Sequence, residues 1–431
     1  MGSFRFLHAA DLHLDSPLRG LTRHEGLPFA QIRDATRRAL DNLVDLAIAE
    51  QVAFIVIAGD LYDGSWKDAS TGLYMARALG RLLQHDIQIY LLQGNHDAAS
   101  IITRDLPLPP GVKRFGSRKP ETFEIAELSV ALHGQSFANR HVDRDMTPNY
   151  PSPVPGYFNI GVLHTSLNGY SEHETYAPCT IETLLAKGYD YWALGHVHER
   201  AVQGDGPHIV FPGVLQGRHI RETGPKGATL VEVTDGAVSS LRHVPCDVVR
   251  WARLSVDCTG LEQESDLQDA ISVALRQAVD DHAEERLLVA RLELHGATPL
   301  HAQLNARPGA LRETAQQLAA MIAGQPAIEK LVLNTTPPRQ PAAHVSASQN
   351  ANPNAEDDDI AALVNAALAD PELLATLEAE LGGFLSTLPL ADSPDQEDSL
   401  LACARAQDWR ALLTPAGDAL LARLTSNEHA S

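Results

Sequence analysis

Five times in its first 200 residues the chain runs through a short apolar stretch and ends it on residues of the kind that hold metal ions. FRFLHAA leads into Asp11-Leu12-His13, and FIVIA into Gly59-Asp60. IQIYLLQ leads into Gly94-Asn95-His96-Asp97, NIGVL into His164, and YDYWAL into Gly195-His196-Val197-His198. Short β-branched runs of this kind read as strands. They are expected at Phe4–Ala9, Phe54–Ala58, Ile87–Leu92, Asn159–Leu163 and Tyr191–Leu194, with further strands at Val130–Leu132, Ile209–Phe211 and Thr229–Val233. Helical period separates them at Ile32, Ala35, Ala39, Leu43, Leu46 and Ala47, then between Ala69 and Leu83, and from Ile181 to Ala186. Strands alternating with helices predict a layered α/β domain over residues 1–244. The carboxyl ends of strands in such a sheet share one rim, so the five motifs are expected to converge there.

The ligand types narrow the chemistry. In an extended segment residues two apart project to the same side, so Asp11 and His13 can serve one ion, as can His196 and His198. A carboxylate among neutral ligands can bridge two cations, and Asp60 is the best placed to do so. Aspartate, asparagine and histidine without thiolate suit Mn²⁺, Fe²⁺ or Zn²⁺ and exclude a structural zinc of the cysteine type. The glycines before Asp60, Asn95 and His196 are expected to let the backbone turn sharply.

Beyond residue 244 the pattern changes. Strand, helix, strand, helix, strand is expected over residues 245–336, with strands Val248–Val256, Leu287–Leu294 and Glu329–Asn334 and helices Leu267–Ala283 and Pro308–Gly324. This reads as a small α+β unit. Residues 337–358 are rich in Pro, Ser, Asn and Ala and read as a linker. Residues 359–431 carry amphipathic helical segments over 360–388 and 399–424 that are too short to build a core alone, so they are expected to dock on a partner.

The formal charge is −21, but it is unevenly spread: about −11 over residues 337–431, −5 over 245–336 and −5 over 1–244. Two divalent cations would nearly neutralise the first domain. Acidity therefore argues little against a phosphate substrate, and more against this chain alone gripping long duplexes. Four widely spaced cysteines fit a reducing compartment, which is expected to be cytoplasmic. No apolar run is long enough to cross a bilayer, and the amino-terminal stretch reads as a strand and not as a signal peptide.

The motifs DLH, GD, GNHD, H and GHVH, at Asp11, Asp60, Asn95, His164 and His196, resemble the calcineurin-like metallophosphoesterase superfamily. HAADLHLDSPLRGL and FPGVLQGRHIRETGPKGATLVEV narrow the resemblance to its DNA-repair nuclease branch, that of SbcD and the YhaO-type exonucleases. The resemblance covers residues 1–244 well, extends loosely to a capping domain over 245–336, and is poor over the tail. It implies a four-layer α/β/β/α sandwich with two central mixed sheets. It implies one ion held by Asp11, His13, Asp60 and His198 and another by Asp60, Asn95, His164 and His196, with Mn²⁺ favoured. It makes His96 the catalytic histidine that serves the leaving oxygen, with Asp97 fixing its loop or orienting a histidine. Some relatives carry a phosphate-binding histidine three residues after the bridging aspartate, where this chain has Asp63. Arg218, His219 and Arg221 are therefore candidates for phosphate contacts, and His8 and Asp15 read as local structure.

The implied function is a DNA exonuclease or endonuclease working beside a coiled-coil ATPase of the SbcC or YhaN type, and a homodimer is compatible with it. The alternatives are a phosphodiesterase for a small nucleotide or lipid intermediate, and a weakly active regulatory subunit of an ATPase complex. Substrate length discriminates the first two, since a small-molecule enzyme gains nothing from an extended DNA strand.

Overall fold

The computed structural model describes residues 2–19, 21, 32–63, 69–99, 108–167, 176–204 and 207–338, with scattered positions between 363 and 420. Most of the linker and the tail helices expected over 360–388 and 399–424 lie outside the described residues.

Two six-stranded mixed sheets form the first domain. In spatial order, the first sheet contains Ala237–Pro245 (β12), Gly227–Thr234 (β11), Phe4–Ala9 (β1), Phe54–Ala58 (β2), Gln88–Leu92 (β3) and Val112–Arg114 (β4). Strands β1 to β4 run parallel, and β11 and β12 are added antiparallel. The second sheet contains Glu121–Ile125 (β5), Val130–Gly134 (β6), Phe158–His164 (β7), Tyr191–Gly195 (β8), His208–Phe211 (β10) and Ala201–Gln203 (β9), with β6, β7, β8 and β10 parallel.

Alternation along each strand explains the layering. Phe4 and Phe6 of β1, Phe54 and Val56 of β2, and Tyr90 and Leu92 of β3 point one way, meeting Val130, Ile160, Val162 and Ala193 of the second sheet in a common core. Phe6 and Phe54 stack there with centroids 4.9 Å apart. The intervening Leu7, Ile55, Ile57, Ile89 and Leu91 point the other way, onto the helices Ala35–Ala49 (α1) and Ala69–Gln84 (α2). Being buried on both faces makes these strands continuous apolar runs. The outer face of the second sheet is covered by a third cluster with Trp192, Leu194 and Phe211, to which the short helix Ile181–Leu185 (α4) contributes Leu184. The helix Asn95–Ala99 (α3), which begins on a candidate ligand, is an element that periodicity did not indicate.

After β12 in the chain comes a third sheet, in the order Val249–Asp257 (β13), Leu287–Ala297 (β14) and Ala327–Thr336 (β15), with the helices Glu264–Ala278 (α5), His301–Ala306 (α6) and Pro308–Ala320 (α7). The chain divides into two compact units. One comprises 1–253, 276–291 and 323–329, and the other 254–275, 292–322 and 330–431. Within the first unit, Val249 and Trp251 pack with Leu18, Leu21 and Ile220. Among the described residues no helix is long and apolar enough to cross a membrane.

His8 lies wholly buried on β1 between the sheets, with Nδ1 3.0 Å from the Tyr191 hydroxyl and Nε2 donating to the Leu194 carbonyl at 3.1 Å. Burial depresses its pKa to about 3. The unfolded chain takes up this proton near the ordinary value of about 6.5, whereas the folded chain does not until about 3. This group's stabilisation is thus complete above about pH 6.5 and is lost as pH falls toward 3, by up to about 1.4 kcal/mol per pH unit. Urea denaturation from pH 7 to 4 is expected to show a shallower acid decline in His8→Gln than in the parent. Equal slopes would reject the assignment.

Candidate metal centre

All five motifs come together where the carboxyl ends of the two sheets meet. Asp11 and His13 follow β1, Asp60 follows β2, and Asn95 opens α3 after β3. His164 ends β7, and His196 and His198 follow β8. Extended geometry does not bring Asp11 and His13 together, as the spacing suggested. Both sit in the left-handed region (φ 52° and 40°), as do Asp60 (φ 53°) and His196 (φ 97°). The chain coils tightly after each strand, and such conformations are costly for residues other than glycine. The glycines likewise divide their labour. Gly59 turns the chain at φ +102°, while Gly195 sits where a Cβ would strike the Ala58 carbonyl oxygen, so its need is for space.

Ligand atoms converge in three overlapping groups: Asp11 with His13 and His198, His13 with Asp60 and His96, and Asp11 with Asp60 and His164. His13 and His198 face each other Nε2 to Nε2 at 3.2 Å. His164 Nε2 lies 2.9 Å from Asn95 Oδ1 and 3.5 Å from Asp60 Oδ2, which is also 3.8 Å from His13 Nε2. His196 belongs to none of the three groups. Its ring stands 5.3 Å from that of His164, and its backbone N–H donates to both Asp11 carboxylate oxygens at 3.1 and 3.0 Å.

These residues fit two divalent cations. His164 Nδ1 faces the Ala58 carbonyl at 2.9 Å and His198 Nδ1 faces the Glu222 carboxylate at 2.7 Å, both oxygens able only to accept. In the neutral rings Nδ1 therefore carries the hydrogen, and each Nε2 turns a lone pair inward. Asp11 and Asp60 are buried at a cost that nearby positive charge must offset, whereas burial and the neighbouring Asp60 push the Asp97 pKa up to about 7 against the backbone N–H groups it accepts. Burial opposes ionisation of Asp60, but His164, His96 and His13 outweigh it and hold its pKa well below the usual range. The reverse holds at His164, where burial disfavours the cation but Asp60 and Asp11 push its pKa up to about 9. The pocket thus attracts positive charge. Divalent cations held there supply Lewis acidity, which lowers the pKa of water and neutralises charge on a phosphate group.

The chain's own residues include a group able to move a proton. His96, one third exposed, donates Nδ1–H to Asp63 at 2.8 Å, and Ser16 Oγ donates to the other Asp63 oxygen at 2.8 Å. Its backbone N–H donates to Asp60 Oδ1 at 3.0 Å. Burial would lower the His96 pKa, but the bond to Asp63 raises it, so Nε2 can carry a proton toward a leaving oxygen. Asp97 accepts backbone N–H groups of Leu61, Tyr62 and Gly94 at 3.0–3.1 Å, tying two ligand loops together. His8 and Asp15 lie in local structure, Asp15 accepting from Arg37 Nε and Nη2 at 2.6 and 2.5 Å.

The segment GRHIRE separates its own candidates. Arg218 points inward, Arg221 is exposed, and His219 Nε2 is 3.4 Å from Glu222. Sequence reasoning missed Glu222, which is buried and serves as the hub of this turn, accepting from His198 Nδ1 and from the Arg218 backbone N–H at 2.6 Å. It also missed the Asp63–His96 pair. In both cases the partner is far away in the chain, so the carboxylate four residues after Arg218 and the one three after Asp60 carried no readable signal.

Comparison with known proteins agrees with this geometry. Residues 4–200 match the family of calcineurin-like phosphoesterases, and residues 251–336 match the middle domain of metallophosphoesterase YhaO. The chain is similar to the uncharacterized metallophosphoesterase YhaO of Bacillus subtilis, with 36% identity over 258 residues, 59% of this chain and 63% of that protein. It is also similar to the DNA double-strand break repair protein Mre11 of Sulfurisphaera tokodaii, at 25% identity over 61% of this chain and 68% of that protein. The Mre11 of Methanopyrus kandleri is 26% identical over 61% of each chain. The match thus spans less than two thirds of the length of the YhaO relative. Histidine, aspartate and asparagine on the rim of paired mixed sheets, with those matches, make residues 4–200 a calcineurin-like metallophosphoesterase domain, followed by a YhaO-type middle domain.

Proposed function

We propose that the protein is a Mn²⁺-dependent DNA nuclease that hydrolyses phosphodiester bonds during repair. The observation that carries this reading is the cluster around Asp60, with His96 held beside it by Asp63. Similarity to Mre11 proteins supports DNA as the substrate. The oxygen and imidazole donors suit Mn²⁺, and Fe²⁺ or Zn²⁺ would also be accepted. Three buried free cysteines and one partly buried one support a reducing, cytoplasmic location. The weakly gripping, acidic chain would work with a coiled-coil ATPase of the SbcC or YhaN type, which supplies DNA affinity and takes up the tail.

The bond is broken as the oxygen of a water adds to phosphorus and the leaving sugar oxygen takes a proton from His96 Nε2; the proton the water gives up returns through solvent to His96 and restores it for the next turnover. Digestion of end-labelled single- and double-stranded DNA with Mn²⁺ tests this. His96→Ala is expected to lower turnover by roughly 10²–10⁴ while leaving metal content unchanged. Equal cleavage by both proteins would defeat the role of His96, and no cleavage by the parent would defeat the DNA reading.

A further inference from the structure

Among the described residues, two other arginines held against carboxylates are well satisfied. Arg250 places Nε and Nη2 on Asp247 at 3.0 and 2.9 Å and Nη1 on the His282 carbonyl at 2.7 Å. Arg291 forks onto Glu329 at 2.9 and 2.8 Å. These are the short, paired bonds that offset burying a guanidinium.

Arg218 is the exception. Its side chain is 12% exposed, yet its Nε is buried with no acceptor. Nη1 reaches Ser16 Oγ at 3.4 Å and Asp63 Oδ2 only at 4.0 Å, and Nη2 is 3.7 Å from Glu222 Oε1. The remaining neighbour of Nη2, His198 Nδ1 at 3.4 Å, carries its own hydrogen for Glu222 and cannot accept. Of five N–H donors, one has an acceptor within 3.5 Å.

The backbone beneath it is fixed. The Arg218 N–H donates to Glu222 and its carbonyl accepts from Arg19 N–H at 2.7 Å, while the neighbouring Gly217 carbonyl accepts from the Trp251 indole at 2.9 Å. Gln216 is clamped to Val248 and Val249. The guanidinium is thus held beside metal-ligand His198 and beside Asp63, which orients His96, with its hydrogen-bonding capacity largely unused. Asp63 is ionised, its pKa held far below the usual range, and can donate nothing to an anion.

We infer that Arg218 is the anion-binding residue of this site, taking a non-bridging oxygen of the scissile phosphate in a nucleic-acid backbone, with Glu222 as its positioning residue. This rests on the nuclease reading for the identity of the substrate, but the binding of phosphate itself does not. A planar fork suits two phosphate oxygens at once, which a lysine cannot match.

Calorimetric titration of inorganic phosphate into the Mn²⁺-loaded full chain tests the inference. Arg218→Gln is expected to weaken phosphate binding roughly ten- to a hundredfold, and Arg218→Lys to recover only part of the loss. Both variants are expected to hold as much manganese as the parent, and Arg221→Ala to bind phosphate normally. For a short end-labelled oligonucleotide, Arg218→Gln should raise KM by a similar factor. Parent-like phosphate binding by Arg218→Gln would overturn the proposal, as would loss of manganese from both Arg218 variants, because the residue would then be supporting the ligands. A parent that binds phosphate through Arg218 but cuts no oligonucleotide would leave the arginine's role standing and remove the nucleic-acid assignment.

Discussion

With Asp60 replaced by asparagine, the protein is expected to hold at most one cation and to lose at least about three orders of magnitude in phosphodiester hydrolysis. Asp60 is 1% exposed. One of its oxygens stands 3.5 Å from His164 Nε2 and 3.8 Å from His13 Nε2, between the two halves of the ligand set. The other accepts the His96 backbone N–H and so sets the start of α3. Asparagine keeps the shape but removes the charge. It also turns either an amide N–H₂ or a neutral carbonyl oxygen toward the imidazoles. Loss of a shared metal's charge stabilisation is worth several kcal/mol, and each 1.36 kcal/mol is tenfold in rate. Elemental analysis of the dialysed protein, together with a hydrolysis assay, checks both halves. An Asp60→Asn protein that keeps two manganese ions and more than a tenth of the parental rate would show that another group bridges.

The parts of this architecture that were legible in the sequence are those where burial acts on both faces. β1 and β2 coincide with the expected Phe4–Ala9 and Phe54–Ala58, and β3, β7 and β8 lie within a residue of expectation. Edge strands were not legible. β4, β5, β9 and β12 need one neighbour and little burial, and β12 (AVSSLRHVP) has no apolar alternation to find. α3 was hidden because five residues are too few to show a period. In the site, ligand identities could be read from residue type at strand ends, but the means of convergence could not. Positive φ at Asp11, His13 and Asp60 belongs to no periodic pattern. Glu222 and Asp63 act only through distant partners, His198 and His96, 24 and 33 positions away, which no local spacing encodes.

That convergence depends on the two sheets approaching closely at the rim as well as through their shared core, and Gly195 leaves room for the approach there. Ala58 ends β2 in the first sheet, and Gly195 ends β8 in the second. A Cβ on Gly195 would strike the Ala58 carbonyl oxygen and lie 2.9 Å from His164 Nδ1, which donates to that same oxygen. Neither neighbour is a flexible side-chain end, so the sheets must part at the rim. Asp11 and Asp60 would then move away from His164, His196 and His198, and the His196 N–H would be drawn off Asp11. Overpacking of this kind costs about 1–3 kcal/mol in the fold, and a displacement of about 1 Å can cost a hundredfold in function. Gly195→Ala is therefore expected to lower the melting temperature of the metal-free protein and to weaken Mn²⁺ binding by roughly a hundredfold. Gly80→Ala is the control. A Cβ there meets nothing within 4 Å in the middle of α2, so it should leave Mn²⁺ binding unchanged and stabilise the fold by about 0.5–1 kcal/mol. If Gly195→Ala matched the parent in both melting and Mn²⁺ affinity, the contact between strand ends would not be what holds the two halves of the ligand set together.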